Sequence, residues 1–489
     1  MGRAVREGVG WPVFGWREVY GGRTPPPGQV VAPDERLSWP RMVGLGAQHV
    51  VAMFGATFVF PIVMGLNPQL AIMMSGVATI CFLLIVKGVV PSYLGTSASF
   101  VSAVAAIRAQ GGDSAQVTGA ILVAGLVLAL CGLLIHLLGF RVLHAVLPPV
   151  VTGAVVMLIG FNLAPVVASV YWPQDQWTAL VTMTFVIVVA VAARGFVGRI
   201  AIFLGLIFGY LLSWLLDRVA GPITSVLPGS SGPTTHERVD WSGVAAAPWV
   251  GFPPHTTTGA DGNEVAGWHA PAFSFAFILL VLPAVVALIA ENAGHVKAVA
   301  EMTGRDLNPV MGKAIGADGV ATVLASSVGG SPTTTYAENI GVMAATRIYS
   351  TAAYFIAAIV AIVFGFSPKF GAVISATPGG VLGGITVVLY GMIGLLGAKI
   401  WKENGVDFGN PINLVPLAAG IIIAIGDTSL VFSSTFQLSG IALGTIVTIA
   451  GYHLARWLAP AHLREQQARE RPCPGVGVSP AEQRGAADA

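Results

Sequence analysis

The chain has 489 residues, of which 55% are hydrophobic and only 10% are charged, and its mean hydropathy is +0.77. This hydropathy exceeds what the core of a soluble protein needs, and the apolar residues fall in blocks of about 20, the length of a bilayer-spanning helix. The composition therefore predicts an all-α polytopic membrane protein. The formal net charge of +2 is small and dispersed, so we expect no nucleic-acid partner.

Both ends of the chain are polar and differ from its apolar body. Residues 1–40 are rich in arginine and proline and lack an apolar core, which excludes a cleaved signal peptide and predicts a cytoplasmic tail. Residues 459–489 form a second predicted cytoplasmic tail. Both tails have the composition of disordered segments, and contact of the N-terminal arginines with phospholipid is a second interpretation.

Between the tails the sequence predicts fourteen membrane segments, two of them short: 41–64, 69–89, 97–108, 117–139, 145–163, 178–195, 200–216, 272–294, 313–329, 338–348, 350–367, 378–399, 412–432 and 437–458. With the N-terminus inside the cell, the cytoplasmic side carries every one of the 25 lysines and arginines except Arg108, Arg218, Arg238 and Lys369. The positive-inside rule therefore favours a multi-pass plasma-membrane protein with both termini in the cytoplasm.

The longest loop, residues 217–271, separates the segments into two groups of seven. It is poor in lysine and arginine and rich in turn formers, which predicts an external loop that is either disordered or caps an entrance. Segments five and twelve begin alike, with proline, small residues and an apolar run, in "LPPVVTGAVVMLIG" and "TPGGVLGGITVVLYG". Because seven is an odd number, we expect the second group to be an inverted repeat of the first.

Segments three and ten also begin alike, with the polar stretches "VPSYLGTSASF" and "GGSPTTTYAENI". Extended backbone at membrane depth must be paired or must line a cavity. We therefore predict that residues 94–99 and 332–337 form two short antiparallel strands. Each strand precedes a half-helix whose free N–H groups suit a carbonyl oxygen or an anion. The alternative is that both stretches are external loops.

Ionisable side chains occur inside two predicted membrane segments. Glu338 and Asn339 begin segment ten, and Glu291 and His295 share one helix face in segment eight, about 6 Å apart along the axis. Ionisable groups inside a membrane favour a functional role, and proton relays are prominent among such roles. The alternative is that Glu291 and His295 already lie at the cytoplasmic interface.

The other polar residues predict neither a metal site nor a cofactor. Gln48 and His49 lie on an apolar background in segment one, where the histidine is either a packing hydrogen-bonder or a ligand. The histidines do not combine with carboxylates at metal-ligand spacing, and the three cysteines, Cys81, Cys131 and Cys473, predict no disulfide framework. The sequence lacks a phosphate loop, which excludes transport driven by nucleotide hydrolysis in this chain.

The stretch "ENIGVMAATR", residues 338–347, resembles the signature of the nucleobase-ascorbate, or nucleobase-cation-symport-2, transporters. That signature is an acid, amide or proline, then Asn, any residue, Gly, four residues, Thr and a basic residue. It is joined by "QH" at 48–49, "PSYLGTS" at 91–97, "PPVVTGAVVMLIG" at 148–160, "AENAGHVKAV" at 290–299 and "GGSPTTTYAENIG" at 329–341. The resemblance covers about residues 40–460 and is strongest to bacterial uracil and pyrimidine permeases.

This resemblance implies two domains that move against each other. The core domain would comprise residues 41–139 and 272–367, and the gate domain residues 140–216 and 368–458. An elevator-like or rocking movement of the core against the gate would then carry the substrate. Gate surfaces in the family pair as homodimers, so a homodimer is a further expectation from the resemblance.

The resemblance also implies how a pyrimidine base is held. Glu291 would receive one N–H edge of the base and Glu338 the other, while the backbone amides of Ala98 and Ala337 would donate to its carbonyls. An acid at position 338, where purine-transporting members commonly have Gln, favours uracil over xanthine. The chain departs from uracil permeases at Ala98, where they often carry Phe, so an aromatic face is missing.

Further positions carry over in lining, coupling and supporting roles. Tyr336 and Ala56 would line the site, and His295 and His49 would tune proton coupling together with Glu291. The supporting positions are Gln48, Asn292, Asn339, Ser97 and Thr335. Asn292 replaces a second histidine of some relatives, which weakens any detailed proton-relay mechanism.

These observations together predict a symporter that imports uracil or a related pyrimidine with H⁺ as the coupling ion. Glu291 is the expected proton carrier, and the dipole of segment ten should hold Glu338 ionised. A xanthine or purine symporter of the same family is the first alternative. An inorganic-anion exchanger is the second, although two acids in the site would repel an anion. A membrane-embedded enzyme is disfavoured, since no nucleophile-base pair or metal site is present.

Overall fold

The computed structural model describes residues 14–26, 28–139, 147–194, 196–227, 232–258, 264–433 and 436–468. In these ranges the chain is mostly helical, and seven helices are long and apolar enough to cross a membrane, or up to nine if each bent helix pair counts as one span. A polytopic, mostly helical membrane protein is therefore confirmed. The number of fourteen segments and the inverted repeat stay predictions.

The helices and strands are numbered in chain order. The first ten helices are α1 (Trp39–Val63), α2 (Pro68–Ile85), α3 (Val101–Ala109), α4 (Ser114–Leu138), α5 (Pro149–Phe161), α6 (Ala164–Val166), α7 (Gln176–Ala192), α8 (Phe196–Arg199), α9 (Ala201–Val219) and α10 (Ser242–Ala246). The later helices are α11 (Phe275–Thr303), α12 (Asn308–Ser326), α13 (Ala337–Thr346), α14 (Thr351–Gly365), α15 (Pro368–Ser375), α16 (Gly379–Glu403), α17 (Pro411–Ile425), α18 (Gly440–Leu458) and α19 (Ala461–Ala468). The strands are β1 (Arg17–Glu18), β2 (Glu35–Arg36), β3 (Leu94–Thr96), β4 (Ile223–Val226), β5 (Pro233–His236), β6 (Thr256–Thr258), β7 (Glu264–Ala266), β8 (Thr333–Thr335), β9 (Ser429–Ser433) and β10 (Phe436–Ser439).

Segments eight and thirteen differ most from the prediction at their C-terminal ends. Segment eight, predicted to end at residue 294, continues as α11 to Thr303, where Gly304 takes the left-handed conformation (φ 64°) that commonly stops a helix. Segment thirteen, predicted to run to residue 432, ends as α17 at Ile425 and is followed by the antiparallel hairpin β9–β10. The prediction was wrong there because a short apolar run fits a strand as well as a helix.

The described parts of the long loop 217–271 are folded, so the disordered interpretation is wrong for them. β4 pairs antiparallel with β5, and β6 with β7. Arg238 Nε donates to Asp175 at 2.7 Å and its Nη1 donates to Asp217 at 3.0 Å. Because Asp175 also accepts the N–H of Thr178 at the start of α7, this ion-pair network fastens the loop to α7.

The N-terminal tail is also ordered where it is described, so the prediction of disorder is wrong for residues 14–26 and 28–38. Val31 N–H donates to Arg347 O at 3.0 Å, Tyr349 N–H donates to Val31 O at 2.8 Å, and Trp16 Nε1 donates to Thr351 Oγ1 at 2.8 Å. The tail is held because its apolar residues enter a buried cluster of Val31, Leu37, Met42, Ile348, Ala352 and Ala353. Residues 1–13 and 469–489 of the predicted tails lie outside the described residues.

The described residues form two compact units. The first comprises residues within 1–142 and 163–389, and there α4 packs so closely on α12 that a β-carbon on Gly132 would meet the backbone of Gly316. The second comprises residues within 143–162 and 390–489, and there Trp401 Nε1 donates to Val150 O at 2.8 Å. The predicted division into core and gate domains stays a prediction.

Candidate functional site

The site is built on a two-stranded antiparallel sheet within the first unit. Leu94 pairs with Thr335, Gly95 with Thr334 and Thr96 with Thr333. All six residues are buried, which excludes the external-loop interpretation. The predicted antiparallel pairing of residues 94–99 with 332–337 is thus confirmed for residues 94–96 with 333–335, while residues 98 and 99 lie in a 3₁₀ turn.

A helix begins directly after each strand, as predicted. Ser97 leads into a 3₁₀ turn, Ala98–Phe100, that continues as α3, and Ser97 Oγ accepts the N–H of Ser99 at 3.2 Å. Tyr336 is the N-cap of α13, which begins at Ala337. The first turns of a helix carry backbone N–H groups without helical partners and the positive end of the helix dipole. The amides of Ala98 and Ala337 therefore lie where a carbonyl oxygen is favourably bound.

Two predicted carboxylates lie beside the start of α13. Glu291 is on α11, which packs against both β8 and α13, and Glu338 is in the first turn of α13. Both residues are half-buried. Glu338 and Asp318 lie close enough to Glu291 for their negative charges to act on it. Three acids from three helices thus lie along β8, with Asp318 at its first residue and Glu338 after its last.

A hydrogen-bonded chain links α12 to α11 through β8. Asn292 Nδ2 donates to Asp318 Oδ2 at 2.6 Å, Thr335 Oγ1 donates to Asn292 Oδ1 at 3.1 Å, and His295 Nδ1 lies 2.8 Å from Thr335 Oγ1. Because the Thr335 hydroxyl gives its one proton to Asn292, the network assigns a proton to His295 Nδ1. The supporting residues Asn292 and Thr335 are therefore joined to the predicted coupling residue His295.

Asp318 is the residue of this chain of bonds that the sequence reasoning missed. Its side chain is fully buried, and Thr333 Oγ1 donates to its second oxygen at 3.4 Å. The available signal was a lone acid inside the apolar segment 313–329, since ionisable residues at membrane depth favour a functional role.

Tyr336 packs against β3. Its hydroxyl donates to Thr96 O at 2.7 Å, and its ring lies against Gly95 so closely that a β-carbon there would collide with it. Thr57 Oγ1 occupies the same place beside Gly95. Ala56 is buried next to Thr57 on α1, which packs against β3. The close packing at Gly95 thus fixes the position of the Tyr336 ring.

His49 joins α1 to α13. Asn339 Nδ2 donates to His49 O at 2.9 Å and lies 3.2 Å from His49 Nδ1, and the His49 ring lies 4.4 Å from that of Tyr354. An amide nitrogen only donates, so His49 Nδ1 accepts and the ring proton is on Nε2. This geometry is that of a packing hydrogen-bonder, while the predicted role of His49 in proton coupling stays a prediction. Gln48 is half-buried beside it.

The family of the chain follows from its sequence matches. The family model Xan_ur_permease, described as "Permease family", matches residues 41–432. This chain belongs to that permease family. Over 430 residues, 86% of this permease and 90% of the relative, it is 43% identical to the "Putative pyrimidine permease RutG" of Escherichia coli (strain K12). Over 426 residues, 85% of this permease and 92% of the relative, it is 36% identical to the "Uracil permease" of Bacillus caldolyticus.

Solved structures show the same fold at low sequence identity. The transmembrane domain of the cyanobacterial bicarbonate transporter BicA matches with a TM-score of 0.55 and 14% identity, covering 84% of the permease and 96% of that chain. The murine anion transporter Slc26a9 in its inward-facing state matches with a TM-score of 0.60 and 11% identity, covering 86% and 69%. The permease is accordingly a multi-pass membrane transporter and not an enzyme.

Proposed function

We propose that this permease is a proton-coupled symporter that imports uracil or a related pyrimidine base across the plasma membrane. The observation that carries the proposal is the convergence of Glu291 and Glu338 on the start of a half-helix, beside a second half-helix that starts on the paired strand. The names of the relatives, a pyrimidine permease and a uracil permease, support the same substrate class.

The donors and acceptors of the site match those of uracil. The base alternates two N–H donors with two carbonyl acceptors, so a complementary site needs carboxylate acceptors beside N–H donors. Glu291 and Glu338 would accept from the two N–H groups, and the amides of Ala98 and Ala337 would donate to the carbonyls. Tyr336 would line the site from the strand side. Each buried polar group of the base then has a partner, which is what selective binding requires.

The proton would be carried by Glu291. It lies near Glu338 and Asp318, and like charges in a low-dielectric space disfavour simultaneous ionisation. Glu338 is in the first turn of α13, where the helix dipole favours the carboxylate. A proton on Glu291 would therefore relieve its repulsion with Glu338 and Asp318, and His295 would respond to the same charge through Thr335 and Asn292.

The transport movement needs a topology with two access states. We propose fourteen segments in two inverted groups of seven, with both termini in the cytoplasm and a core domain moving against a gate domain. The pairing of β3 with β8, each followed by a short helix, supports the repeat. A homodimer through the gate domain is part of the same proposal.

The test is uptake of radiolabelled uracil into proteoliposomes that contain the purified permease. An inward-acid proton gradient should drive uracil above its external concentration, and unlabelled uracil or thymine, but not xanthine, should block the uptake. Accumulation that is blocked by xanthine instead would establish the purine alternative. Equal uptake with and without the gradient would contradict proton coupling.

The fold supports a second candidate, an inorganic-anion exchanger, because BicA and Slc26a9 are anion transporters. Its weakness is electrostatic, since Glu291 lies near two further acids, Glu338 and Asp318, and these would repel an anion. The same vesicles distinguish the two: an anion exchanger would take up radiolabelled bicarbonate or chloride against a trans anion and would ignore uracil.

A further inference from the structure

The two-stranded sheet β3–β8 has two outer edges, and the backbone groups that point outwards there cannot bond to the other strand. Backbone groups of antiparallel strands point alternately towards and away from the partner strand. Ser97 N–H donates to Pro332 O at 2.9 Å and Tyr336 N–H donates to Tyr93 O at 3.0 Å. By alternation, the N–H and C=O of Leu94 and Thr333 point away from the sheet. Inside a membrane such groups must find partners in the protein.

One threonine of α2 bonds the outward-pointing groups of Leu94 at the edge of β3. Leu94 N–H donates to Thr79 Oγ1 at 2.9 Å, and the Thr79 hydroxyl donates back to Leu94 O at 3.4 Å. Thr79 is fully buried. A single hydroxyl can accept and donate at once, so it takes the place that a third strand would occupy.

One threonine of α12 does the same at the opposite edge. Thr333 N–H donates to Thr322 Oγ1 at 3.2 Å, and the Thr322 hydroxyl lies 3.2 Å from Thr333 O, to which it donates. Thr333 Oγ1 lies 3.0 Å from the same hydroxyl, and Thr322 is fully buried. At each edge of the sheet, a threonine hydroxyl from a neighbouring helix thus bonds both the N–H and the C=O of one strand residue.

We propose that Thr79 and Thr322 are positioning residues for substrate binding, a role that rests on the proposed function. Each hydroxyl ties one strand to a membrane helix, and each strand leads within four residues into the half-helix that begins at Ala98 or Ala337. The two ties therefore fix where the substrate-binding amides lie, and neither hydroxyl touches the substrate.

The two ties differ in what else they hold. Thr333 also donates to Asp318, so Thr322 supports both the strand and the buried acid. Leu94 has no polar side chain, so Thr79 supports the backbone alone. Loss of the hydroxyl at Thr322 should therefore weaken substrate binding more than loss at Thr79.

The experiment replaces each hydroxyl by a group of the same shape. Thr79→Val and Thr322→Val remove the hydroxyl, while Thr79→Ser and Thr322→Ser retain it. Thr386→Val is the matched control, because Thr386 is fully buried and, among the described residues, its hydroxyl donates within its own helix, to Leu382 O and Gly383 O. Uracil binding to the purified full-length protein is measured by calorimetry, and amide hydrogen exchange is followed over residues 90–100 and 331–340.

The Val variants should bind uracil about tenfold more weakly, the effect of leaving buried backbone groups without partners. They should also exchange the strand amides faster, whereas the Ser variants and the control behave like the wild type. Where a Val variant does not fold, Thr→Cys replaces it, since a thiol is only a weak donor. Its affinity should then fall below that of the Ser variant.

Two negative results have different meanings. In the first, the wild-type protein binds uracil, the Val or Cys variants bind it equally well, and their strand amides exchange at the wild-type rate. This result would overturn the positioning role alone. Wild-type protein that binds no nucleobase would overturn the proposed function, and the positioning role with it.

Discussion

The two strands of the site have matching geometry but different chemistry around them. On the β3 side the polar neighbours are hydroxyls: Ser75 Oγ and Tyr93 OH lie 3.0 Å apart, and Thr79 holds the strand. On the β8 side the neighbours include the acids Asp318 and Glu338 and the histidine His295. The difference is that hydroxyls hold the backbone on both sides, whereas these acids and this histidine lie on the β8 side.

The largest expected effect comes from removing the titratable group proposed to carry the proton. Glu291→Gln retains the shape and loses the charge change, so gradient-driven accumulation of uracil should fall to simple equilibration across the membrane. Uptake into proteoliposomes measures this. Glu301→Gln, on the exposed end of the same helix, is the control and should accumulate normally. Gradient-driven accumulation of uracil by Glu291→Gln would show that Glu291 is not the proton carrier.

The next effect concerns Asp318 as an acceptor. Asn292 Nδ2 donates to Leu288 O as well as to Asp318, so Asp318→Ala leaves one of its two N–H groups without an acceptor. This loss should lower the free energy of unfolding by about 1–3 kcal/mol and reduce uracil uptake. Asp318→Asn retains an acceptor oxygen and should recover most of the stability. Thermal unfolding with uptake on the same preparations measures both. Equal damage by Ala and Asn would show that charge, and not the hydrogen bond, is what this position supplies.

The β3 side should respond to a change of shape alone. Gly95→Ala puts a β-carbon into the Tyr336 ring and the Thr57 hydroxyl, so it should displace the ring and weaken uracil binding by about 1–3 kcal/mol. Gly44→Ala, on α1 with open space around it, is the control. A normal KM for uracil uptake in Gly95→Ala would argue that Tyr336 does not line the site.

The smallest effect is expected in the tail, whose described hydrogen bonds reach the link after α13. Burial raises the pKa of Asp34, and Arg305 lies 3.6 Å away, which opposes that shift. A raised carboxyl pKa stabilises the fold below the ordinary value of about 3.9, and this stabilisation is lost as the pH rises through the raised value.

The free energy of unfolding of Asp34→Asn, relative to that of the wild type, should therefore be higher at neutral pH than at pH 4. The change should be less than about 1 kcal/mol because the carboxyl group is only partly buried. Thermal unfolding between pH 4 and 7 measures it, with the exposed Glu465→Gln as control. A larger loss of stability between pH 4 and pH 7 in Asp34→Asn than in the wild type would contradict this prediction.

The sequence predicted the strands and half-helices because a stretch of Gly, Ser and Thr inside an apolar chain indicates a break in a membrane helix, and the extended backbone at such a break must be paired or line a cavity. It did not predict the partners of Asp318, because Asn292 lies 26 positions away and no local periodicity records such a contact. Thr79 and Thr322 were missed since a threonine in an apolar helix is an ordinary packing residue. The tail was misjudged because its few apolar residues, such as Val31 and Leu37, are diluted by arginine and proline.

The pairing of β3 with β8 has a consequence for biosynthesis. Thr96 and Ser331, whose hydroxyls lie 2.8 Å apart, are separated by 235 positions of the chain. Half of the site therefore enters the membrane long before its partner strand has left the ribosome, and its ladder groups stay unpaired during that interval. The nascent chain therefore passes through a stage at which β3 has been made and the strand with which it pairs has not.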